Sequence, residues 1–194
     1  MWFEVGRLNK IRCFISFDVE DESILDRMVE AQRILLTGCH GLKAVKRENV
    51  HITLRFLGEI SPTMVDSVIE VMDRVSFTPF TIKISGVGAF PNLRRPSVIW
   101  AGITEGVEEL KEIFRQIESG LIEIGFKPEP KGFSPHITLA RVKRGFNRSA
   151  VASKILELSD FEFGEFQAEN LRLKRSVLTP KGPIYSTIHE VKAR

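Results

Sequence analysis

Apolar positions along the chain recur with two periods, and the changes between them outline the fold. Runs with alternating, β-branched or aromatic character predict strands over 11–17, 50–57, 80–90 and 97–103. Three more follow over 135–142, 166–178 and 184–191. Between them the period lengthens to that of a helix. Ile24, Leu25, Met28, Ile34 and Leu35 share one helical face. Met64, Val65, Val68, Met72 and Val75 share another, with Ser61 as its N-cap and Pro62 in its first turn. The longest stripe runs from Val107 through Leu110, Ile113, Phe114, Ile117 and Leu121 to Ile124, and Gly125 stops it. Val151, Ile155, Leu156 and Leu158 make a shorter one. Each stripe reads as core packing. The proline-rich stretches at 90–97 and 178–185 read as turns between strands, with Gly182 free to take a positive φ.

The tetrapeptide HITL occurs twice, beginning at His51 and at His136, an offset of 85 residues. Four identical residues prove little, so the flanks decide. The same offset carries the strand at 12–17 onto 97–102 and the helix at 24–35 onto 109–120. It carries the helix at 64–75 onto 149–160, and the strand beginning at Phe80 to within a residue of Phe166. A shared offset that maps strands onto strands and helices onto helices is an internal duplication. It predicts an α+β fold of two lobes related by a pseudo-twofold axis. Each lobe is an antiparallel sheet with helices packed outside, and a cleft runs between the lobes. We expect a single bilobal unit over 1–194, with duplicated halves at roughly 11–96 and 97–194.

Within each HITL strand, side chains alternate between faces. Ile52, Leu54, Ile137 and Leu139 belong to the core, which leaves His51 with Thr53, and His136 with Thr138, on the other face. Two duplicated core strands with incidental polar residues are the plain alternative. Yet a buried strand has no reason to carry His and Thr outward at both symmetry-related places. Across a twofold axis these four residues put two imidazoles and two hydroxyls into one cleft. One imidazole can act as base while the other acts as acid. Such a pair suits in-line displacement at phosphorus, with the hydroxyls donating to the non-bridging oxygens. No cofactor is needed. A metal site is disfavoured, because HxH and HExxH spacings are lacking and no carboxylate stands in register.

Composition adds bounds rather than chemistry. The chain has 194 residues and a formal charge of +3, compatible with an anionic or nucleic-acid ligand without demanding one. The N-terminal MWFEVGRLNK has neither the apolar core nor the cleavage site of a signal peptide. No apolar run approaches the length of a membrane span. Cys13 and Cys39 stand alone and read as small core residues, so the expected location is the cytoplasm. His40 and His189 read as surface histidines.

The paired His-x-Thr-x motifs, with the segments RCFISFD, ENVHITLRFLGE, GAFPNLRRPSVIWAG, FSPHITLARV and TPKGPIYSTI in order, resemble the two-histidine phosphoesterase superfamily. More closely they resemble the RNA 2′,3′-cyclic phosphodiesterases, also called 2′-5′ RNA ligases. The resemblance covers the chain from about Ile11 to its C-terminus, leaving residues 1–10 as a candidate N-terminal extension. It implies hydrolysis of RNA or nucleoside 2′,3′-cyclic phosphate to a 2′-phosphate. In some members it also implies reversible, ATP-independent 2′-5′ joining of tRNA halves. It assigns His51 as proton donor and His136 as proton acceptor, a choice that the symmetry of the sequence leaves open. Thr53 and Thr138 hold the phosphate, and Arg141 matches an arginine near it.

Arg141 raises a geometric difficulty. Strict alternation places it opposite in parity to His136, so it reaches the cleft only through a bulge or twist after Leu139, or by curling over the strand end. Its neighbours Lys143, Arg144 and Arg148, like Arg94 and Arg95, read as a solvated face. Phe14, Trp100 and Tyr185 are candidates for stacking on bases, although aromatic residues in strands are usually core. A binding module that recognises an RNA end without turning it over is the competing class of function.

Overall fold

The structure is a computed structural model that describes residues 10–194; apart from Lys10, the candidate N-terminal extension lies outside the described residues. Among the described residues, nine strands and four α-helices follow one another in chain order. They are β1 (Ile11–Asp18), α1 (Glu22–Leu36), β2 (Leu42–Ala44), β3 (His51–Ile60), α2 (Pro62–Asp73), β4 (Phe80–Phe90) and β5 (Val98–Glu105). Then come α3 (Val107–Glu123), β6 (His136–Val142), α4 (Arg148–Glu157), β7 (Glu162–Ala168), β8 (Asn170–Thr179) and β9 (Gly182–Lys192).

Local chemistry sets most of the boundaries. The side chains of Asp21, Ser61 and Asn147 accept the backbone N–H groups of Ile24, Met64 and Ala150, capping α1, α2 and α4. Helix α3 starts without a side-chain cap at Gly106, which takes φ 82°. A Cβ there would also sit 2.6 Å from the Thr81 carbonyl oxygen, so the entry needs glycine on both counts.

All strand pairs are antiparallel and form one sheet in the order β7-β4-β5-β6-β3-β1-β8-β9, with β2 added to the end of β6. One bridge, Ile52 to Ile137, joins the central strands β3 and β6. These isoleucines are 85 residues apart, so the pseudo-twofold axis passes between the two HITL strands. Helices α1 and α4 cover β4, β6 and β7, while α2 and α3 cover β3 and β9. Ile52, Leu54, Ile137 and Leu139 are buried in the core beneath them, and Cys13 and Cys39 are buried free thiols. The bilobal α+β arrangement expected from the duplication is therefore present.

Two features depart from the pattern of the sequence. The alternating run at 166–178 is two strands, β7 and β8, broken at Glu169. Ala168 pairs with Phe80 of β4, but Leu171 pairs with Phe17 of β1, so the chain crosses from one lobe to the other within three residues. The apolar positions slip from even (Phe166, Ala168) to odd (Leu171, Leu173) across Glu169 and Asn170, but such a slip marks a bulge as readily as a break and names no new partner. The short strand β2 has only three residues, too few to give a periodic signal.

Candidate active site

Both HITL histidines open a strand, and each is held in the same way. His51 Nδ1 lies 2.7 Å from the Asn49 carbonyl oxygen, and His136 Nδ1 lies 2.7 Å from that of Ser134. A carbonyl only accepts, so Nδ1 carries the proton in both rings. That leaves each Nε2 to take or give a proton. Asn49 is itself buried, and its Nδ2 donates to the Pro183 oxygen at 3.0 Å, docking the β8–β9 hairpin beside His51.

Aromatic rings wall both imidazoles. Phe14 packs at 4.9 Å and Tyr185 at 5.4 Å from the His51 ring, and Phe90 packs at 5.0 Å from that of His136. Burial pushes both histidines below their ordinary value. At His51 the charge of Asp18 opposes the shift, while Lys174 and His136 add to it. At His136 the charge of Arg141 adds to it. Asp18 stands opposite His51 in the β1–β3 register and is ion-paired to Lys174 and Arg172. Burial of Asp18 works against its ionisation, but these two cations outweigh it and hold the carboxyl below the usual range.

A cavity of about 570 Å³ opens on this face. His51, Thr53, Thr138, Arg141, Phe14 and Tyr185 all line it, so most of the sequence-derived site residues converge on one space. Neither threonine hydroxyl has a hydrogen-bond partner among the described residues. His136 and Trp100 do not line the cavity; they lie beyond its edge, where Trp100 is cross-strand neighbour to Thr138. The indole lies over Gly88, where a Cβ would sit 2.3 Å from its ring carbons, and packs at 5.2 Å on Phe90. Trp100 is thus part of the wall behind His136. Lys143, Arg144, Arg148, Arg94 and Arg95 are exposed, as expected of a solvated face. His40 is exposed too, whereas His189 Nε2 contacts Asp73 at 2.7 Å, away from the cleft.

The parity of Arg141 is resolved by a bulge. Ile99 pairs with Ala140, but the next residue of β5, Trp100, pairs with Thr138. Leu139 is the extra residue, and it turns Arg141 onto the face of His136 and Thr138. The same device occurs in β3. There Ile15 pairs with Arg55 and Ser16 with Thr53, so Leu54 is extra and Phe56 turns into the cavity.

A polar group reaches each bulge from the helix layer. Gln32 of α1, only 7% exposed, donates from Nε2 to the Leu139 oxygen at 2.9 Å and to the Val45 oxygen at 2.8 Å. At the other bulge Arg55 turns inward to Glu118 of α3, to Glu129 and to the Lys127 carbonyl. Arg55 Nε and Glu118 Oε2 lie 2.9 Å apart at an angle too poor for a hydrogen bond, so that contact is purely ionic. Sequence reasoning missed Gln32 and Arg55. A lone polar residue on an apolar helical stripe was the available signal for the first; the second had none, because strict alternation puts Arg55 on the face of His51 and Thr53 and only the bulge turns it inward.

Comparison with known proteins agrees with the geometry. The family model of LigT-like phosphoesterases matches residues 19–100 and 102–185, one HITL in each segment. An RNA 2′,3′-cyclic phosphodiesterase of Aeropyrum pernix is 43% identical over 152 residues, covering 78% of this chain and 86% of its own. One of Archaeoglobus fulgidus is 40% identical over 178 residues, covering 92% and 98%. A crystal structure from Thermus thermophilus superposes with a TM-score of 0.80 at 30% identity, covering 95% of this chain and 98% of that one. E. coli LigT complexed with 3′-AMP shares the fold, with a TM-score of 0.78 at 19% identity over 95% and 98% of the two chains.

Proposed function

The chain belongs to the LigT-like phosphoesterase family, and from that premise we propose that it hydrolyses RNA and nucleoside 2′,3′-cyclic phosphates to 2′-phosphates. The observation that carries this reading is the matched pair of imidazoles. In each, a backbone carbonyl holds Nδ1–H and leaves Nε2 for proton transfer at a site flanked by threonine hydroxyls. His136 Nε2 takes a proton from water as its oxygen attacks phosphorus. The P–O3′ bond breaks, and His51 Nε2 gives its proton to O3′, leaving the phosphate on the 2′-oxygen. Of the charges facing the two rings, Asp18 favours a charged His51 against the opposing effect of Lys174 and His136, and Arg141 favours a neutral His136. Thr53, Thr138 and Arg141 bind the non-bridging oxygens, where donors aimed at developing charge have most effect. Phe14 and Tyr185, which line the cavity, are the candidates for contact with the nucleoside, and Trp100 backs His136 through Phe90 instead of facing the ligand.

In this scheme protein side chains alone move the protons. Among the described residues no three His, Cys, Asp or Glu side chains gather where they could hold a metal ion. If a 5′-hydroxyl replaces water as the nucleophile, the same proton transfers join two RNA ends, such as tRNA halves, through a 2′-5′ bond without ATP.

The test is product analysis with a 2′,3′-cyclic mononucleotide. A 2′-phosphate product is expected from the wild type, and none from folded His51→Ala or His136→Ala. Unchanged turnover in either variant refutes the mechanism. Tight binding with no product from the wild type would make the protein an RNA-end binder instead.

A further inference from the structure

The cavity carries more positive charge than one cyclic phosphate can use. Arg12, Lys43, Lys46, Arg141 and Lys181 line it, together with no carboxylate. Of these five, Lys46 alone has an ion-pair partner among the described residues, with Glu48 at 3.6 Å. Lys43 and Arg141 are direct cross-strand neighbours between β2 and β6. Like charges placed opposite one another in a sheet destabilise it. The fold therefore bears a small cost that an anion between them would reverse. A 2′,3′-cyclic phosphate brings a single negative charge, and Arg141 with the His-Thr pairs already faces it.

The surplus cations are accompanied by exposed apolar surface. Phe56 is 44% exposed and Leu178 is 65% exposed, and both line the same cavity. The guanidinium of Arg12 lies 4.5 Å over the Phe56 ring. Cations that follow a backbone, interleaved with aromatic rings on which bases stack, are how proteins hold single strands without reading sequence; Phe56 is such a ring, and Leu178 adds apolar contact beside it. The hairpin that supplies Lys181 and Leu178 is also fixed in place through Asn49 and Pro183, so this wall is built before a ligand arrives.

We propose that Lys43, Lys46 and Lys181 form a second anionic subsite for the backbone phosphates of the single-stranded RNA leading to the reacting end. The protein is then selective for oligonucleotides over mononucleotides. This rests on the phosphodiesterase reading above.

The experiment compares a 2′,3′-cyclic mononucleotide with a short oligoribonucleotide ending in the same nucleotide, in the wild type and in the triple variant Lys43→Gln, Lys46→Gln, Lys181→Gln. For the wild type, kcat/KM should be at least about tenfold higher on the oligomer, a difference of about 1.4 kcal/mol. Its logarithm should fall more steeply with log salt, by about 0.7 for each extra phosphate held. The triple variant should lose both the advantage and the extra slope through KM, with mononucleotide turnover unchanged. Equal losses on both substrates, or a wild type indifferent to chain length, would overturn the subsite. Absence of turnover on either substrate refutes the activity and leaves the subsite readable by fluorescence anisotropy. With an oligomer ending in a 2′-phosphate, tighter wild-type than variant binding supports the subsite, and equal binding overturns it.

Discussion

Replacing Gln32 with leucine should weaken the fold and the catalytic site together, although Gln32 touches no substrate. Its amide is the side-chain donor to two carbonyls, that of Leu139, which is buried, and that of Val45, which is partly buried. After the change, the Leu139 oxygen keeps the Val45 N–H at 2.9 Å. The Val45 oxygen is left without a partner among the described residues. An unsatisfied carbonyl costs about 1–3 kcal/mol, nearer the low end at the partly buried Val45, and the second bond at Leu139 about 1 kcal/mol more. The added apolar burial of leucine returns about 1 kcal/mol. The net loss is about 1–3 kcal/mol, which lowers Tm by about 3–10 °C in a chain of this size.

The effect on catalysis runs through the bulge. Leu139 is the extra residue that turns Arg141 into the cavity, and Gln32 ties it to the chain just after β2. A hydrogen bond from Arg141 to a charged phosphate is worth about 1.5–3 kcal/mol. Arg141→Ala should therefore lower kcat/KM by about 10- to 100-fold. Gln32→Leu should reproduce part of that loss on its own and add little to it when Arg141 is already alanine. The assay is a double-mutant cycle on the cyclic mononucleotide, run well below the melting point of the weakest variant, beside thermal melts of all four proteins. Fully additive losses in kcat/KM would show that Gln32 does not act through Arg141. An unchanged Tm would refute the hydrogen-bond argument itself.

Further outcomes follow from the same geometry. In the free protein burial lowers both histidines, and catalysis needs one charged and one neutral, so kcat/KM should trace a bell with its maximum below about pH 6.5. Its alkaline limb is loss of the proton on the acid and its acid limb is protonation of the base; a rate that stays flat from neutral to alkaline pH contradicts this. Arg55→Met strands the carboxylates of Glu118 and Glu129 and should cost about 3 kcal/mol in urea denaturation, at the low end for such pairs because Glu129 is nearer solvent. Substituting Glu118→Gln and Glu129→Gln in the same chain should restore much of that loss, and no restoration would refute the ionic account. Turnover should survive EDTA, and a loss reversed by adding a divalent cation would count against proton transfer by side chains alone.

The amino-acid sequence alone determined the duplication, the element types and the inner and outer faces of both HITL strands. Those properties are local: the side-chain period of a strand is two, so His and Thr are separated from Ile and Leu wherever the strand is placed. The caps at Ser61 and the turn around Gly182 were legible for the same reason. Partner choice and register are not local. Only the tertiary structure decided that residues on either side of Glu169 belong to different lobes, because the slip in alternation at Glu169 and Asn170 does not say which strand each half pairs with. Only it inserted Leu54 and Leu139 as bulges, because a bulge is a mismatch between two strands that neither carries by itself. The mismatch at Leu139 brings Arg141 to the histidines where the Gln32 amide of α1 meets the displaced carbonyl, and the one at Leu54 turns Arg55 inward to Glu118 of α3 and to Glu129.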